Sequence, residues 1–449
     1  MAQLALLLYL AFVFITLRHD AKEGRHVSRA LWIPFLWLAI SASQPLSGWL
    51  SPGSRSFQLT EAEYMQGNPI ERFFLVIMLS VGLALLSRRA KRVAYYFRDN
   101  FFIYLLYFYA FISIGWSDFQ GMSLRRWIRA AGDVIMVLLI LTEDDQRDAI
   151  VRVLRRCAIL LIPLSFVYIR YFPQWGIAYH VDGTRMWTGV TNHKNTLGIL
   201  CAFLGIFLTW RLIKEWRKPK VMVVDGFLLI LALYLLRGSH SATSLVVYLI
   251  GVMILACVFY YKNDRRKLNS FLIVTVLVLL VLQGIFIYIL DVSPTSLFFA
   301  ATERDSSLTG RIPLWQELIA IGIQKPILGA GYGGIWLSQA ALAKSTFTAR
   351  HKVNAHNGYI HVFLDMGILG LLLMFALIAH NYRRLLKSFE VNWEKGTLLL
   401  TLFLMIVFHN ITESTFTRGT SFLWILFLLT CIVVVRKARA PDSPETPPA

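Results

Sequence analysis

Long apolar runs, separated by short polar connectors, fill the sequence from residue 3 to residue 435. A helix needs roughly 20 apolar residues to cross a bilayer, and these runs are close to that length. Because 57% of the residues are hydrophobic and only 16% are charged, a soluble enzyme is excluded. The pattern predicts an all-α polytopic membrane protein with 12 or 13 transmembrane helices. The predicted spans are 3–17, 31–50, 72–87, 101–117, 128–141, 157–172, 195–213, 222–236, 242–261, 270–290, 358–379, 397–411 and 421–435.

The predicted spans divide the chain into four parts. Residues 1–290 form the N-terminal transmembrane helices, and 358–436 form the C-terminal ones. Between them, 291–357 is a long loop that we expect to contain short amphipathic helices. Residues 437–449 are rich in proline and are expected to be a disordered tail. The number of spans is 12 if the first lies outside the bilayer or if the eighth and ninth merge.

The formal net charge of +19 is distributed unevenly along the chain. Of the 45 Lys and Arg residues, 29 fall in alternate connectors and in the tail, and 16 fall in the opposite set. Short cytoplasmic loops of membrane proteins carry an excess of Lys and Arg. We therefore expect a cytoplasmic C-terminus and an external long loop. The basic charge indicates topology and not a nucleic-acid partner.

A few basic residues lie on the external side, where topology does not explain them. An Arg guanidinium is a planar fork of donors that matches phosphate oxygens, so arginines at the membrane surface suit a lipid-linked phosphate or pyrophosphate. Alternatively, these side chains reach lipid headgroups or pair with acidic residues. The external basic residues in question are Arg125, Arg126, Arg129, Arg185, Lys194, Arg311 and Arg418.

Two of these residues belong to an external polar segment, 185–198, that leads directly into a span. Thr191 or Asn192 is expected to cap that helix. His193, Lys194 and Asn195 then lie at its N-terminus, where free backbone N–H groups and the helix dipole favour an anion.

Arg311 lies in a second segment, 308–316, with a glycine turn before it and a proline after it. An amphipathic helix is predicted to begin at this proline and to lie along the membrane surface. The glycine-rich stretch 328–336 follows. It is neither a Walker loop nor a Rossmann turn, because no strand precedes it and the Lys-Ser/Thr pair is absent.

The segment 355–367 returns the chain to the membrane. His356 and Asn357 are expected at the mouth of the next helix, and His361 and Asp365, four residues apart, share a face deeper inside. An imidazole can accept a proton from a sugar hydroxyl near neutral pH, so His356 is the predicted catalytic base. The alternative is a loop histidine that caps the helix. A weaker cluster, the segment from His409 to Glu413 together with Arg418, lies at the external ends of the last two spans. Its Glu413 and Arg418 are expected to line the same cavity as Asn195, Asn357, His361, Asp365, Arg125 and Arg126.

These motifs resemble the O-antigen ligase and Wzy-type polymerase superfamily of bacterial polysaccharide assembly. The resemblance covers roughly residues 100–430 and includes the polytopic layout and the long loop near the C-terminal end. The motifs that carry the resemblance are the Arg/His-Lys-Asn segment, Thr-Gly-Arg, Gly-Tyr-Gly-Gly and the His-Asn that opens a late span. The form His-Lys-Asn-x-Leu-Gly is similar to that of one branch of the superfamily, the exopolysaccharide production proteins, which are polymerases.

The resemblance implies an integral membrane glycosyltransferase of the bacterial inner membrane whose active site faces the periplasm. Such enzymes transfer a glycan from undecaprenyl pyrophosphate to an acceptor sugar hydroxyl, without a nucleotide sugar, metal or other cofactor. Arg185 and Arg311 match the arginines that hold the donor pyrophosphate, with Lys194 and His193 beside them, and His356 matches the histidine that activates the acceptor. The implied partners are the lipid-linked oligosaccharide, an acceptor glycan or glycolipid, the bilayer and other polysaccharide assembly proteins.

The residue types fit this chemistry independently of the resemblance. Negative charge develops on the leaving pyrophosphate, and arginines can stabilise it without a metal. One base and one displacement imply inversion at the anomeric carbon. The acidic run 144–148 has the spacing of a metal motif, but it lies on the basic side after Thr142. We therefore interpret it as a capped helix start.

Three functions remain open from the sequence. The first is a polymerase that lengthens exopolysaccharide or O-antigen, and the second is a ligase that attaches finished glycan to lipid A core. The third belongs to another class, a polysaccharide or lipid transporter. Against the transporter, the spans contain no paired Gly/Pro-interrupted helices in two matching halves.

Overall fold

The computed structural model is a bundle of membrane-length helices with two short strands. It describes residues 1–23, 27–50, 68–179, 183–261, 264, 266–271, 273–274, 311–335, 355–391 and 393–433. It describes the backbone alone for residues 22–23, 311–313, 390–391 and 395.

The helices follow the apolar runs of the sequence. In chain order they are α1 (Ala2–Glu23), α2 (Trp32–Ser41), α3 (Leu46–Leu50), α4 (Pro69–Ser87), α5 (Ala90–Asp99), α6 (Phe101–Ile112), α7 (Gln120–Leu141), α8 (Gln146–Tyr171), α9 (Pro173–Gly176), α10 (Lys194–Lys214), α11 (Pro219–Gly238), α12 (Ala242–Tyr260), α13 (Arg311–Gly322), α14 (Gly358–Val391), α15 (Trp393–Thr412) and α16 (Phe422–Ile432). Short 3-10 turns occupy Arg29–Leu31 and Ser113–Trp116. The strands β1 (Ile177–Tyr179) and β2 (Arg185–Trp187) form an antiparallel pair in which Tyr179 lies opposite Arg185.

The chain is an all-α polytopic membrane protein, as the sequence predicted. Within the described residues, six helices are long and apolar enough to cross a bilayer, and four more apolar helices are shorter. Every predicted span except 270–290 overlaps one of the helices α1 to α16. Of 270–290, only residues 270, 271, 273 and 274 are described, and these are helical. The eighth and ninth spans are the separate helices α11 and α12. Most of the predicted long loop 291–357 and all of the tail 437–449 also lie outside the described residues.

Successive helices alternate between two ends of the bundle, and contacts within each end confirm the alternation. One end, which we call the His356 end, joins Ser47 to Glu71 and Asn195 to Glu413. The opposite end, which we call the basic end, collects the connectors that are rich in Lys and Arg. Ion pairs tie these connectors together, namely Arg89–Glu143, Arg152–Asp20, Arg147–Glu394 and Lys214–Glu394.

The centre of the bundle is α10, since 72% of its apolar stretch is buried, whereas only 6% of that of α1 is. Near its basic end, Arg211 of α10 pairs with Asp225 of α11 at 2.6 Å, and Arg155 of α8 reaches the other carboxylate oxygen at 3.3 Å. Asp225 is fully buried, and a buried charge needs a partner. The two guanidinium groups compensate it. This arrangement fixes α10, whose other end carries part of the candidate site.

The acidic run at the basic end begins a helix, as interpreted from the sequence. The cap is Asp145 and not Thr142: its side chain accepts hydrogen bonds from the backbone N–H groups of Arg147 and Asp148. Asp148 in turn pairs with Arg152 at 2.5 Å. The acidic run therefore serves helix capping and ion pairing.

Candidate active site

A histidine and a carboxylate meet at the His356 end, between the start of α14 and the turn that joins α15 to α16. Nδ1 of His356 lies 3.0 Å from Oε2 of Glu413. The carboxylate favours the tautomer in which Nδ1 carries the hydrogen, which leaves Nε2 as the basic nitrogen. The His356 side chain is 32% exposed and that of Glu413 only 11%, so a substrate can reach the imidazole while its partner stays shielded.

The backbone holds His356 in this position. Its φ of 44° lies in the left-handed region, which a non-glycine residue adopts at a cost. The next residue, Asn357, caps α14, because its Oδ1 accepts from the backbone N–H groups of Tyr359 and Ile360. Its own backbone N–H donates to Oγ of Ser414 at 3.0 Å. The helix cap and the Ser414 contact therefore place the imidazole against Glu413.

A buried asparagine, Asn410, shapes the turn that carries Glu413. Its Oδ1 accepts from the backbone N–H groups of Thr415 and Phe416, at 2.9 and 3.0 Å. The start of α14 packs so closely on Asn410 that a Cβ at Gly358 would lie 2.1 Å from Oδ1. Only glycine fits there, and this close approach brings His356 next to Glu413.

The start of α10 completes the histidine–carboxylate cluster. Nδ2 of Asn195 lies 3.4 Å from Oε1 of Glu413, so the two carboxylate oxygens face different partners. The helix cap differs from the one expected: it is His193, whose Nδ1 accepts from the backbone N–H of Asn195 at 3.2 Å. The predicted caps Thr191 and Asn192 precede it, and Thr191 instead donates to the carbonyl oxygens of Thr188 and His193.

The glycine-rich stretch docks into a break in α14. The helix is interrupted at Gly367, with φ 65° and ψ −165°. Backbone N–H groups of Ala330 and Gly331 donate to the carbonyl oxygens of Leu364 and Asp365, at 3.0 and 2.9 Å. Past the break, the N–H of Ile368 donates to Pro326 O at 2.8 Å. The loop thus replaces the helical hydrogen bonds that the break removes, as non-helical backbone at membrane depth requires.

His361 and Asp365 form a buried pair just before this break. Nε2 of His361 lies 3.5 Å from Oδ2 of Asp365, and both side chains are less than one-tenth exposed. The charges of Arg126 and Arg418 act on both groups. His361 and Asp365, both expected to line the cavity, thus lie side by side, and the charges of Arg126 and Arg418 reach them.

Two further contacts lock this loop to the bundle. Arg126 of α7 donates from Nη1 to the carbonyl oxygen of Gly333. The Tyr332 hydroxyl donates to the Thr417 carbonyl oxygen in the turn that carries Glu413, at 2.5 Å. Burial raises the pKa of the Tyr332 phenol above its usual range, so it stays a donor. The loop and the Glu413 turn are thereby one rigid unit.

The predicted pyrophosphate-binding residues lie on separate elements of the structure. Arg185 is exposed on β2, where it lies opposite Tyr179. Lys194 is the first residue of α10 and is partly exposed. Arg125 is exposed one residue before Arg126. The backbone of Arg311 begins α13, but its side chain lies outside the described part of the chain.

The helix α13 packs on α14 and buries one apolar face there. Leu314 and Leu318 are buried in a small cluster with Leu364. Ile319 of α13 and Ile323, directly after the helix, are exposed, which suits the predicted position along the membrane surface.

Several residues that shape the site were missed in the sequence. Asn410 lies inside the segment 409–413, of which only Glu413 was predicted to line the site, and Ser414 directly follows that segment. Asp133 is fully buried within a predicted span, a position that marks an ionisable residue as functional or paired. The position of Asp133 in an apolar run was therefore a visible signal in the sequence. In the structure its carboxylate is paired, because it accepts from the indole N–H of Trp37 and the backbone N–H of Thr420.

Comparison with known proteins supports the family suggested by the motifs. Residues 226–375 match the family model described as O-antigen ligase. The resemblance to the O-antigen ligase and Wzy-type polymerase superfamily is thereby confirmed. The matched range contains the glycine-rich loop, His356 and the break in α14 at Gly367.

A named relative points to the same superfamily. The chain is 26% identical over 296 residues to the exopolysaccharide production protein ExoQ of Rhizobium meliloti (strain 1021). The similarity covers 63% of this chain and 65% of that protein, which is just under two thirds of its length.

Proposed function

We propose that this protein is an integral membrane glycosyltransferase that moves a glycan from undecaprenyl pyrophosphate to an acceptor sugar hydroxyl. The observation that carries the proposal is the pairing of His356 with Glu413 at the mouth of α14, within 3.0 Å. A carboxylate that holds an exposed imidazole in one tautomer is an arrangement suited to general-base catalysis. The family match and the ExoQ similarity support glycan assembly as the process.

The reaction assigns one proton transfer to His356. Nε2 takes the proton from the acceptor hydroxyl while its oxygen attacks the anomeric carbon of the donor sugar. The bond between that carbon and the pyrophosphate oxygen breaks, and undecaprenyl pyrophosphate leaves with the bonding electrons. Glu413 stabilises the imidazolium that forms, and a single displacement inverts the anomeric carbon.

Arginine and lysine side chains at the His356 end are assigned to the leaving pyrophosphate. Arg185, Arg311 and Lys194 lie on three different elements, so they can approach the donor from separate directions. Stabilising charge on the leaving group is their expected role. His193 belongs less well in this set, since its Nδ1 accepts from the backbone of α10.

The orientation proposed for the molecule follows from its charge. The basic end carries most of the Lys and Arg residues, so it is assigned to the cytoplasm together with the C-terminus. The His356 end then faces the periplasm of a bacterial inner membrane, where other polysaccharide assembly proteins are the expected partners. The name of the relative, an exopolysaccharide production protein, favours a polymerase over a ligase.

One observation favours a second candidate, a polysaccharide or lipid transporter. Transporters use interrupted helices near ionisable residues, and α14 is interrupted at Gly367 beside the His361–Asp365 pair. The glycine-rich loop fills this break with backbone hydrogen bonds, which suits a rigid scaffold better than a gate. The sequence did not reveal the interruption, because α14 contains no proline.

A two-acceptor assay tests the proposed function. Purified protein in nanodiscs receives undecaprenyl-pyrophosphate-linked repeat units, alone or together with lipid A core. A polymerase lengthens the glycan without lipid A core, and a ligase transfers glycan only when it is present. If neither reaction occurs while liposomes containing the protein move the lipid-linked glycan between leaflets, the transporter candidate replaces the enzyme.

Glu413→Gln is expected to lower kcat by about tenfold to hundredfold, part of the 10²–10⁴-fold that a general base contributes. Glutamine retains the shape and an acceptor oxygen but no longer stabilises the imidazolium. The KM for the lipid-linked donor and the thermal unfolding temperature should change little, whereas a purely structural role would lower that temperature together with the rate. Initial rates and thermal unfolding of the purified variant in nanodiscs measure these effects. Glu394→Gln, which breaks ion pairs at the basic end, is the control and should keep wild-type rates.

A further inference from the structure

A cavity of about 250 Å³ lies outside the His356 network, where α2, α4 and α7 meet. It is at the His356 end of the bundle, and its wall residues lie outside the range of the family match. Its wall combines apolar and polar side chains, among them Ile40, Phe74, Leu75, Ser43, Glu71 and Arg129.

The polar wall is fixed by contacts within the protein. Glu71 Oε1 accepts from both the backbone N–H and the hydroxyl of Ser47, at 2.8 and 2.9 Å. Two other wall residues, Trp37 and Thr420, donate to the two oxygens of the buried Asp133 carboxylate, at 2.8 and 2.9 Å. The cavity is therefore shaped before any ligand enters, as binding pockets usually are.

The charges in the wall select the chemistry of a ligand. Within the wall itself, Glu71 and Arg129 carry opposite charges and act on each other electrostatically. Arg72, Arg125 and Arg126 also act on Arg129, but they are not wall residues. An anionic ligand would gain from Arg129 but would be repelled by Glu71. A lipid chain would bury both charged groups without giving them hydrogen bonds, which is costly. A neutral molecule with several hydroxyl groups satisfies both and packs its C–H face on Phe74 and its neighbours.

The size of the cavity limits the ligand to one ring. Pockets for drug-sized ligands begin at roughly 300 Å³, so a cavity of about 250 Å³ suits a single sugar unit.

The cavity is connected to the candidate active site through one turn. Thr420 lies in its wall, and Glu413, the partner of His356, begins the same turn. Within this turn, Arg418 donates to the carbonyl oxygen of Ser414 at 3.2 Å. Thr417 and Thr420 both have positive φ, at 57° and 61°, so the turn is held in a defined and costly conformation.

We propose that this cavity binds one neutral sugar ring of the glycan that the protein processes, as a subsite beside the His356–Glu413 pair. Hydroxyl groups of the sugar bind Glu71 and Arg129, and its apolar face packs on Phe74. The inference rests on the proposed function for the source of the sugar but not for the binding itself.

Saturation-transfer NMR on the full chain in nanodiscs tests whether the protein binds a sugar. The nanodiscs contain no glycoside before a probe is added. The probes are the methyl glycosides of glucose, galactose and N-acetylglucosamine, with methyl glucuronide as the anionic probe and farnesol as the apolar one. We expect at least one neutral glycoside to bind and the other two probes to bind at least about tenfold more weakly, as the loss of hydrogen bonds to charged groups implies. Stronger binding of the glucuronide or of farnesol overturns the assignment.

Substitutions in the cavity and away from it show where the neutral glycoside binds. Glu71→Gln and Ser41→Phe, which fills the cavity, should each weaken the neutral glycoside at least about tenfold. Arg170→Gln removes an exposed guanidinium of α8 away from the cavity and should not change binding. Thermal unfolding confirms that each variant is folded. If Ser41→Phe is folded and binds as the wild type does, the cavity is not the site.

The outcomes separate this inference from the proposed function. Sugar binding by wild-type protein that shows no transfer activity retains the cavity as a sugar site and removes the glycosyltransferase. Transfer activity in a protein that binds none of the glycosides retains the glycosyltransferase and removes the cavity as a sugar site.

Discussion

His356→Ala is expected to lower kcat for glycan transfer by about 10²–10⁴-fold, the share that a general base contributes. Without the imidazole, the proton of the acceptor hydroxyl has no acceptor at the mouth of α14. The KM for the lipid-linked donor should change little, because the pyrophosphate is assigned to arginines. Initial rates of transfer by the purified variant in nanodiscs measure both constants.

Two companion variants separate the loss of the base from the loss of backbone conformation. Asparagine tolerates the left-handed region better than most residues, so His356→Asn keeps the turn and should be as inactive as His356→Ala. His240 also has a positive φ, 52°, and lies exposed at the same end of the bundle. His240→Ala should retain wild-type rates. Equal losses in His240→Ala and His356→Ala, or full activity of His356→Asn, would contradict the role of His356 as base.

Gly367→Ala is expected to destabilise the protein by about 1–3 kcal/mol and to displace the glycine-rich loop. The backbone at Gly367, with φ 65° and ψ −165°, is essentially accessible to glycine alone. A Cβ there would lie 2.2 Å from the carbonyl oxygen of Ile327, within the loop that fills the break. Because Tyr332 ties this loop to the Glu413 turn, transfer activity should fall with stability.

Thermal unfolding in nanodiscs measures the effect, with Gly226→Ala as the matched control. Gly226 lies in α11 and a Cβ there meets no atom within 4 Å, so alanine should leave stability unchanged or raise it by about 0.5–1 kcal/mol. If Gly367→Ala unfolds at the wild-type temperature and keeps full activity, the break is not a required feature of the fold.

The sequence predicted most of the helices because bilayer-spanning segments must be apolar throughout, a signal that needs no knowledge of neighbours. The distribution of Lys and Arg alone predicted which connectors share an end of the bundle. Ion pairs such as Arg89–Glu143 confirm that these connectors lie together. It also placed His356 and Asn357 at a helix mouth, which the structure confirms, because a polar pair that opens an apolar run has few other positions.

The sequence could not predict contacts that depend on packing between distant helices. His356 and Glu413 are 57 residues apart, and their pairing depends on the close approach of Gly358 to Asn410. The break at Gly367 has no local signal, because the partner that makes it tolerable is the glycine-rich loop, far away in the chain. The roles of Arg185 and Arg311 stay predictions that transfer assays must test.

The most direct measurement of the central claim is the release of undecaprenyl pyrophosphate by the purified protein. Nanodiscs containing the protein and undecaprenyl-pyrophosphate-linked repeat units are sampled over time for free undecaprenyl pyrophosphate and for glycan length, with and without a metal chelator. We expect one undecaprenyl pyrophosphate to be released for each glycosidic bond formed, at the same rate with chelator, and no release from His356→Ala. Glycan that stays the same length, with no undecaprenyl pyrophosphate released for either acceptor, would contradict the proposed transfer.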